Sequence, residues 1–106
     1  MPSALKTSVA TATTSVTTLY TCPASTTSVV TFIQGCNKTF TASDLTIRFQ
    51  RSTVDYWIMN AVQVDPGYPV SVIDGQKLVL QAGDLIRISA SAASTIDVIL
   101  SVTELT

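Results

Sequence analysis

The side chains of this 106-residue chain that could do chemistry are six aspartates, one glutamate, three lysines, three arginines, two cysteines and a large stock of hydroxyls, seventeen Thr and twelve Ser. Histidine is absent. That removes the Ser-His-Asp and Cys-His constellations, the commonest general acid–base and the His-containing zinc sites. A nucleophilic Ser, Thr or Cys then needs a lysine as its base, and Lys6, Lys38 and Lys77 all fall in segments that read as exposed. No G-x-S-x-G elbow occurs, and the four glycines form no phosphate-binding loop. Glycoside hydrolysis needs two carboxylates flanking one bond, whereas Asp44, Asp55, Asp65, Asp74, Asp84 and Asp97 are spread singly. Asp65, Asp74 and Asp84 sit in expected turns, where Asp accepts backbone N–H bonds. A calcium site collects six to eight oxygens, and no EF-hand pattern is present. Pairing of residues 16–22 with 28–36 as a hairpin sets Cys36 opposite about Thr14, too far from Cys22 for a disulfide. Two reduced thiols follow. The chain is expected to be non-enzymatic, with no cofactor and no metal.

Charge and aromatics point to contact instead. Charged residues make up 12% of the chain, and the net charge is −1. Free-standing domains carry about 25%. The cations are too sparse to grip nucleic acid, which needs a basic face. A surface poor in charge and rich in hydroxyls suits burial against a neighbour. Tyr56 and Trp57 are adjacent within one strand, so one should face the core and the other outward. The face shared with Asp55, Met59 and Gln63 puts Trp57 outward; a one-residue slip puts it in the core. An outward Trp57 is the best single hot-spot candidate. Arg48 and Arg51 on the preceding strand suit rim ion pairs. Trp57, Tyr68, Arg48, Arg51, Lys6 and Leu5 are the candidate interface residues.

These residues need strands to hold them. Val and Ile number twenty, and with Thr they favour a pleated, half-buried backbone. Residues 1–15 read as an extended arm, ending at most in a short edge strand. Met1 to Ser15 has one Lys and no apolar run, so it does not read as a secretory signal, and no stretch approaches a membrane span. Asn37-Lys38-Thr39 matches a glycosylation acceptor and, without such a signal, reads as incidental. Strands are expected at 15–21, 28–36, 44–50, 54–64, 69–73, 77–80, 85–91 and 96–105. Leu45, Ile47 and Phe49 should point inward, as should Ile96, Val98, Leu100 and Val102. Gly35 suggests a bulge or a close backbone approach. Asp74-Gly75 is the strongest hairpin signal. About eight strands with regular turns and no helical run predict an all-β, antiparallel β-sandwich, jelly-roll or Ig-like, over 16–106.

Four stretches carry a resemblance: Leu19-Tyr20-Thr21-Cys22-Pro23-Ala24, the apolar run from Val29 to Asn37, Asp74 to Ile86 with its Ala82-Gly83-Asp84 corner, and Asp97-Val98 to Glu104. Together they resemble small β-sandwich virion proteins of tailed bacteriophages, over most of residues 16–105. Similar proteins serve as head decoration (cement) and in tails, baseplates or fibre attachments. The resemblance implies a structural subunit made in the host cytoplasm and assembled into the virion. Its partners would be other copies of itself and the major capsid protein or tail proteins, with no nucleic acid and no membrane. Decoration of the head is the first expectation, and a tail, baseplate or fibre-attachment subunit the alternative. A carbohydrate-binding sandwich, with Trp57 or Tyr68 as a stacking platform, is more distant. The resemblance brings no catalytic residues with it.

Overall fold

A strand must satisfy the N–H and C=O groups on its flanks or stand at an edge. The computed structural model describes residues 3–106, with 74–76 described by their backbone alone. Eight strands form: β1 Ser3–Thr11, β2 Thr17–Thr21, β3 Thr27–Asn37, β4 Ser43–Arg51, β5 Val54–Val64, β6 Pro69–Leu80, β7 Leu85–Ala90 and β8 Ile96–Leu105. They make two antiparallel four-stranded sheets, β1-β8-β3-β6 (sheet A) and β2-β7-β4-β5 (sheet B). The pairings β1–β8, β2–β7, β3–β6 and β4–β5 are those of one long hairpin. Its tip is Ser52-Thr53. Only the β4–β5 connection stays within a sheet; every other one crosses to the opposite sheet. This is a β-sandwich wound as a jelly roll.

The inward alternation is as the sequence predicts in its clearest strands. Ile96, Val98 and Leu100 on β8 and Leu45 and Ile47 on β4 are fully buried, with Val102 nearly so. They meet Val30 and Ile33 of β3 and Ile86 and Ile88 of β7 between the sheets. Each such aliphatic side chain contributes about 1.5–3 kcal/mol through burial.

Several expectations give way to the tertiary pairing. Residues 3–11 are not an arm: β1 pairs with β8 from Ser3↔Leu105 to Thr11↔Asp97, so the sandwich begins well before residue 16. The segments 16–22 and 28–36 do not form a hairpin, because β2 and β3 lie in different sheets. Both cysteines are free nonetheless, Cys22 buried and Cys36 half-buried. Asp74-Gly75 does not reverse the chain. β6 runs through it as one twelve-residue strand, and β3 pairs with both halves across a register shift between Val30 and Phe32. The dipeptide's tolerance for unusual backbone is compatible with an irregular strand as well as a turn. The true hairpin tip carries a weaker signal: Ser52 and Thr53 both take positive φ, 53° and 65°, as a two-residue type I′ turn requires. The same irregularity on β3 changes its faces. Val30 and Ile33 both point inward and Phe32 is half-buried, so the simple alternation through Thr31 fails.

Gly35 is a close approach rather than a bulge. A Cβ there would lie 2.5 Å from Cδ2 of the buried Leu45 and 3.4 Å from Cγ2 of Ile96. Gly35→Ala should therefore force Leu45 aside and lower the unfolding free energy by about 1–2 kcal/mol. Urea titration of the two proteins checks this, with the midpoint falling and the slope unchanged.

Candidate functional site

The strand register assigns a face to every candidate residue except Tyr68, which lies in a turn. On β1, the residues opposite inward Val102, Leu100 and Val98 are Lys6, Ser8 and Ala10. Leu5, Thr7 and Val9 therefore lie on the outer face of sheet A. Beside them stand Ile99, Ser101 and Thr103 of β8, then Val29, Phe32 and Gln34 of β3. Among the outward positions of β1, β8 and β3, Asp97 is the only charged residue, at one end. Leu5 is 83% exposed and Val9 68%, and Val79 on β6 and Ile99 are also exposed. β1 is moreover an edge strand, so its outer row of backbone groups has no strand partner.

Lys6 starts from the other face of β1; its side chain stays 57% exposed, but its charge is taken up within the chain. Its Nζ lies 3.0 Å from Oε1 of Glu104, whose side chain is 7% exposed. Tyr20 Oη donates to Oε2 of the same carboxylate at 2.5 Å and lies 2.7 Å from Ser28 Oγ. Ser28 Oγ is in turn 3.2 Å from Cys22 Sγ. This cluster joins β1, β3 and β8 of sheet A to β2 of sheet B. Burial raises the Tyr20 hydroxyl from 10.0 to about 12, helped by its bond to Glu104. The Tyr20 hydroxyl, then Lys6, hold Glu104 below its ordinary 4.5. The alternation that sets Val98, Leu100 and Val102 inward also sets Glu104 inward, a position legible in the sequence.

Sheet B carries the other candidates. Trp57 faces outward opposite Arg48, with the guanidinium carbon 4.4 Å from the ring centre. Arg48 also reaches Asp55 at 3.4 Å. Tyr56 does not take the core place expected of Trp57's neighbour. It pairs with Phe49 on the inner side, ring centres 6.2 Å apart, but at the open edge of the sandwich, so both Tyr56 and Trp57 are more than half exposed. Further along β5, the register shifts twice and Ala61 adopts φ 50°, its N–H bonding Thr46 Oγ1 at 3.0 Å. That irregularity is why the strict alternation read over 54–64 breaks down.

Arg51 is held at the opposite corner. Its Nη2 and Nε grip Asp84 at 2.6 and 3.0 Å. Asp84 also takes the Gln81 N–H at 2.7 Å, closing a turn in which Gly83 has φ 88°. Arg51 chiefly, with that N–H, holds Asp84 below its ordinary range. Arg48 and Arg51 thus make ion pairs within the chain, with Asp55 and Asp84. Tyr68 lies exposed in the turn from Asp65. That turn is tied to the β3–β4 loop by the buried Asn37. Its Nδ2 donates to the Val64 and Thr41 carbonyls, and its Oδ1 accepts from Thr39 N–H and Oγ1. A side chain so occupied is unavailable for glycosylation. The same loop displays Phe40 fully to solvent, within a segment whose polar composition hid it.

Among the described residues, no group of three or more His, Cys, Asp or Glu could hold a metal ion. No family model matches the chain, and neither a curated protein nor a solved structure matches it.

The Tyr20–Glu104 contact has a pH signature. A tyrosine whose folded value exceeds its unfolded one contributes stability that is whole below pH 10 and is lost as pH rises toward 12. The size of that loss is about 3 kcal/mol. Glu104, Asp84 and Asp97 have the opposite sign: their contributions are present above the ordinary carboxylate range and are lost as pH falls below it through their lowered folded values. Unfolding titrations at pH 8 and pH 11.5 should show a fall in stability for the natural chain and a clearly smaller fall in Tyr20→Phe. Equal falls would separate Tyr20 from the alkaline transition.

Proposed function

We propose that this protein is a non-enzymatic structural subunit of a tailed-bacteriophage virion, a head decoration (cement) protein that binds the assembled shell and stabilises it. The observation that carries the reading is the outer face of sheet A. It is apolar and hydroxyl-rich across three strands, it holds exposed Leu5 and Val9, and it runs without interruption into the open edge of β1. Such a face can be dehydrated at little electrostatic cost, and a free edge can extend a sheet into a neighbour. The resemblance of residues 16–105 to small phage virion proteins supplies the assembly.

A cement subunit works by mass action. It binds the closed shell and not its fragments, so shell stability rises with the number of occupied sites. Weak individual contacts suffice, because many copies act on one particle. Localising the chain in a cryo-EM map of the particle tests the placement. Density over the icosahedral shell is expected; density on the tail axis, baseplate or a fibre base would transfer the same fold to the tail alternative. The face itself is tested by Leu5→Glu combined with Val9→Glu. Both residues are exposed, so the thermal midpoint should hold within a few degrees, while affinity for purified shells drops at least tenfold, about 1.4 kcal/mol. Unchanged shell binding would remove the outer face of sheet A as the docking surface.

A further inference from the structure

The chain has six cations. Four are ion-paired: Lys6 with Glu104, Lys38 with Asp97, Arg48 with Asp55 and Arg51 with Asp84. Arg87 is not, among the described residues. It projects from β7, an interior strand of sheet B, outward between Ile86 and Ile88, which point into the core. Its direct neighbours across the strands are Thr18 on β2 and Arg48 on β4, and Trp57 follows on β5. Two guanidinium groups directly opposite on adjacent strands repel each other. The nearby acid, Asp55, reaches Arg48 only at 3.4 Å and gives its other oxygen to Gln50 at 3.1 Å. The Nε atoms of Arg48 and Arg87 are both shielded from water and lack a hydrogen-bond partner. A buried donor left open is costly, and here it occurs in both arginines of a row where like charges stand opposite each other.

We infer that the row Arg87–Arg48–Trp57 on the outer face of sheet B receives a carboxylate from an acidic segment of a protein partner. The carboxylate sits between the two guanidinium groups, and the apolar side chain beside it packs on the exposed part of Trp57. Charge complementarity selects this occupant. The planar forks of Arg match a carboxylate, and Arg and Trp are the residue types that concentrate interface energy. Arg48 is already stacked on Trp57 at 4.4 Å, so little side-chain freedom remains to be lost on binding. Two arginines less Asp55 leave one positive charge on the row, too little to hold a polyanion such as nucleic acid or a sulfated glycan. This row lies on sheet B, on the side of the sandwich opposite the Leu5 and Val9 face, and its partner need not belong to a virion.

The test uses the full chain labelled with nitrogen-15 and reads the Arg Nε–H and Trp57 indole signals. The probe is a capped hexapeptide of alternating Glu and Leu; its Gln–Leu counterpart, inorganic sulfate and a heparin hexasaccharide are titrated in parallel. The Glu–Leu peptide should shift the Arg48, Arg87 and Trp57 signals saturably, and the Gln–Leu peptide should not. Arg87→Gln should weaken the Glu–Leu peptide at least tenfold, and Arg87→Lys, which keeps the charge but loses the fork, by less. Both variants should retain the dispersed spectrum of the folded chain. The inference is overturned if no peptide shift saturates, if Arg87→Gln binds as well as the natural chain, or if sulfate or heparin binds these groups as tightly. Shifts that appear on concentrating the protein alone would also overturn it, by making a second copy the occupant.

Discussion

A carboxylate closed between two sheets must be satisfied or the sheets cannot meet there, and Glu104 imposes that condition on this sandwich. Its partners come from three directions: Lys6 on the first strand, Tyr20 on the second and, through Tyr20, Ser28 on the third. The first strand needs such a fastening. Ser3–Thr11 is made mostly of small and hydroxyl residues, and its larger apolar ones, Leu5 and Val9, face outward, so burial in the core does little to choose its register. Two polar contacts choose it instead. Lys6 reaches Glu104, and near the other end Thr11 Oγ1 donates to Asp97 at 2.7 Å. A slip of one residue would turn Lys6 to the outer face and leave Glu104 without its cation. The low charge of the outer face along β1, β8 and β3 depends on this register, because the same alternation that sends Lys6 to the other face sends Leu5 and Val9 outward.

The two sheets present different chemistries to solvent. Sheet A is smooth, apolar and hydroxylated over three strands, whereas sheet B carries an arginine row, its aromatic neighbour and a few acids. With so few charges, their arrangement is informative. Four of the six cations are used to close corners, pin strands or stack on a ring. The aromatic residues follow a similar economy of placement. Tyr20 is built into the interior, while Trp57, Tyr56, Tyr68 and Phe40 remain at edges and loop ends. A domain of this size can leave four large rings exposed because its core is made almost wholly of Ile, Leu and Val.

Strands with a period-two pattern were legible in the sequence, and strands with an irregularity were not. Residues 44–50 and 96–105 alternate cleanly, and their inward sets are as expected. In β3 and β5 an extra residue shifts the pattern, and no feature of single residues marks where Thr31 or Ala61 will break it. Turn chemistry misled in both directions. Asp74-Gly75 lies inside a strand, while Ser52-Thr53, two residues that resist positive φ, form the tip of the hairpin. Local preference is worth about a kilocalorie at such sites, and the pairing of β4 with β5 along their length outweighs it. Arg48, Arg51 and Trp57 could be picked out by type. Arg87 could not, because its significance lies in which strands flank it.

The winding of the chain also sets the order in which it can be made. Strand pairs nest about Ser52-Thr53, so β4 and β5 can associate first, and β1 is the last to find a neighbour, since its partner ends at Leu105. During synthesis the first strand leaves the ribosome nearly a hundred residues before the strand that will cover its flank. It must wait, unpaired, until β8 has been made. A strand that is mostly Ser, Thr and Ala, with one Lys, is suited to that interval, because it stays solvated while alone and gains its structure only when β8 arrives.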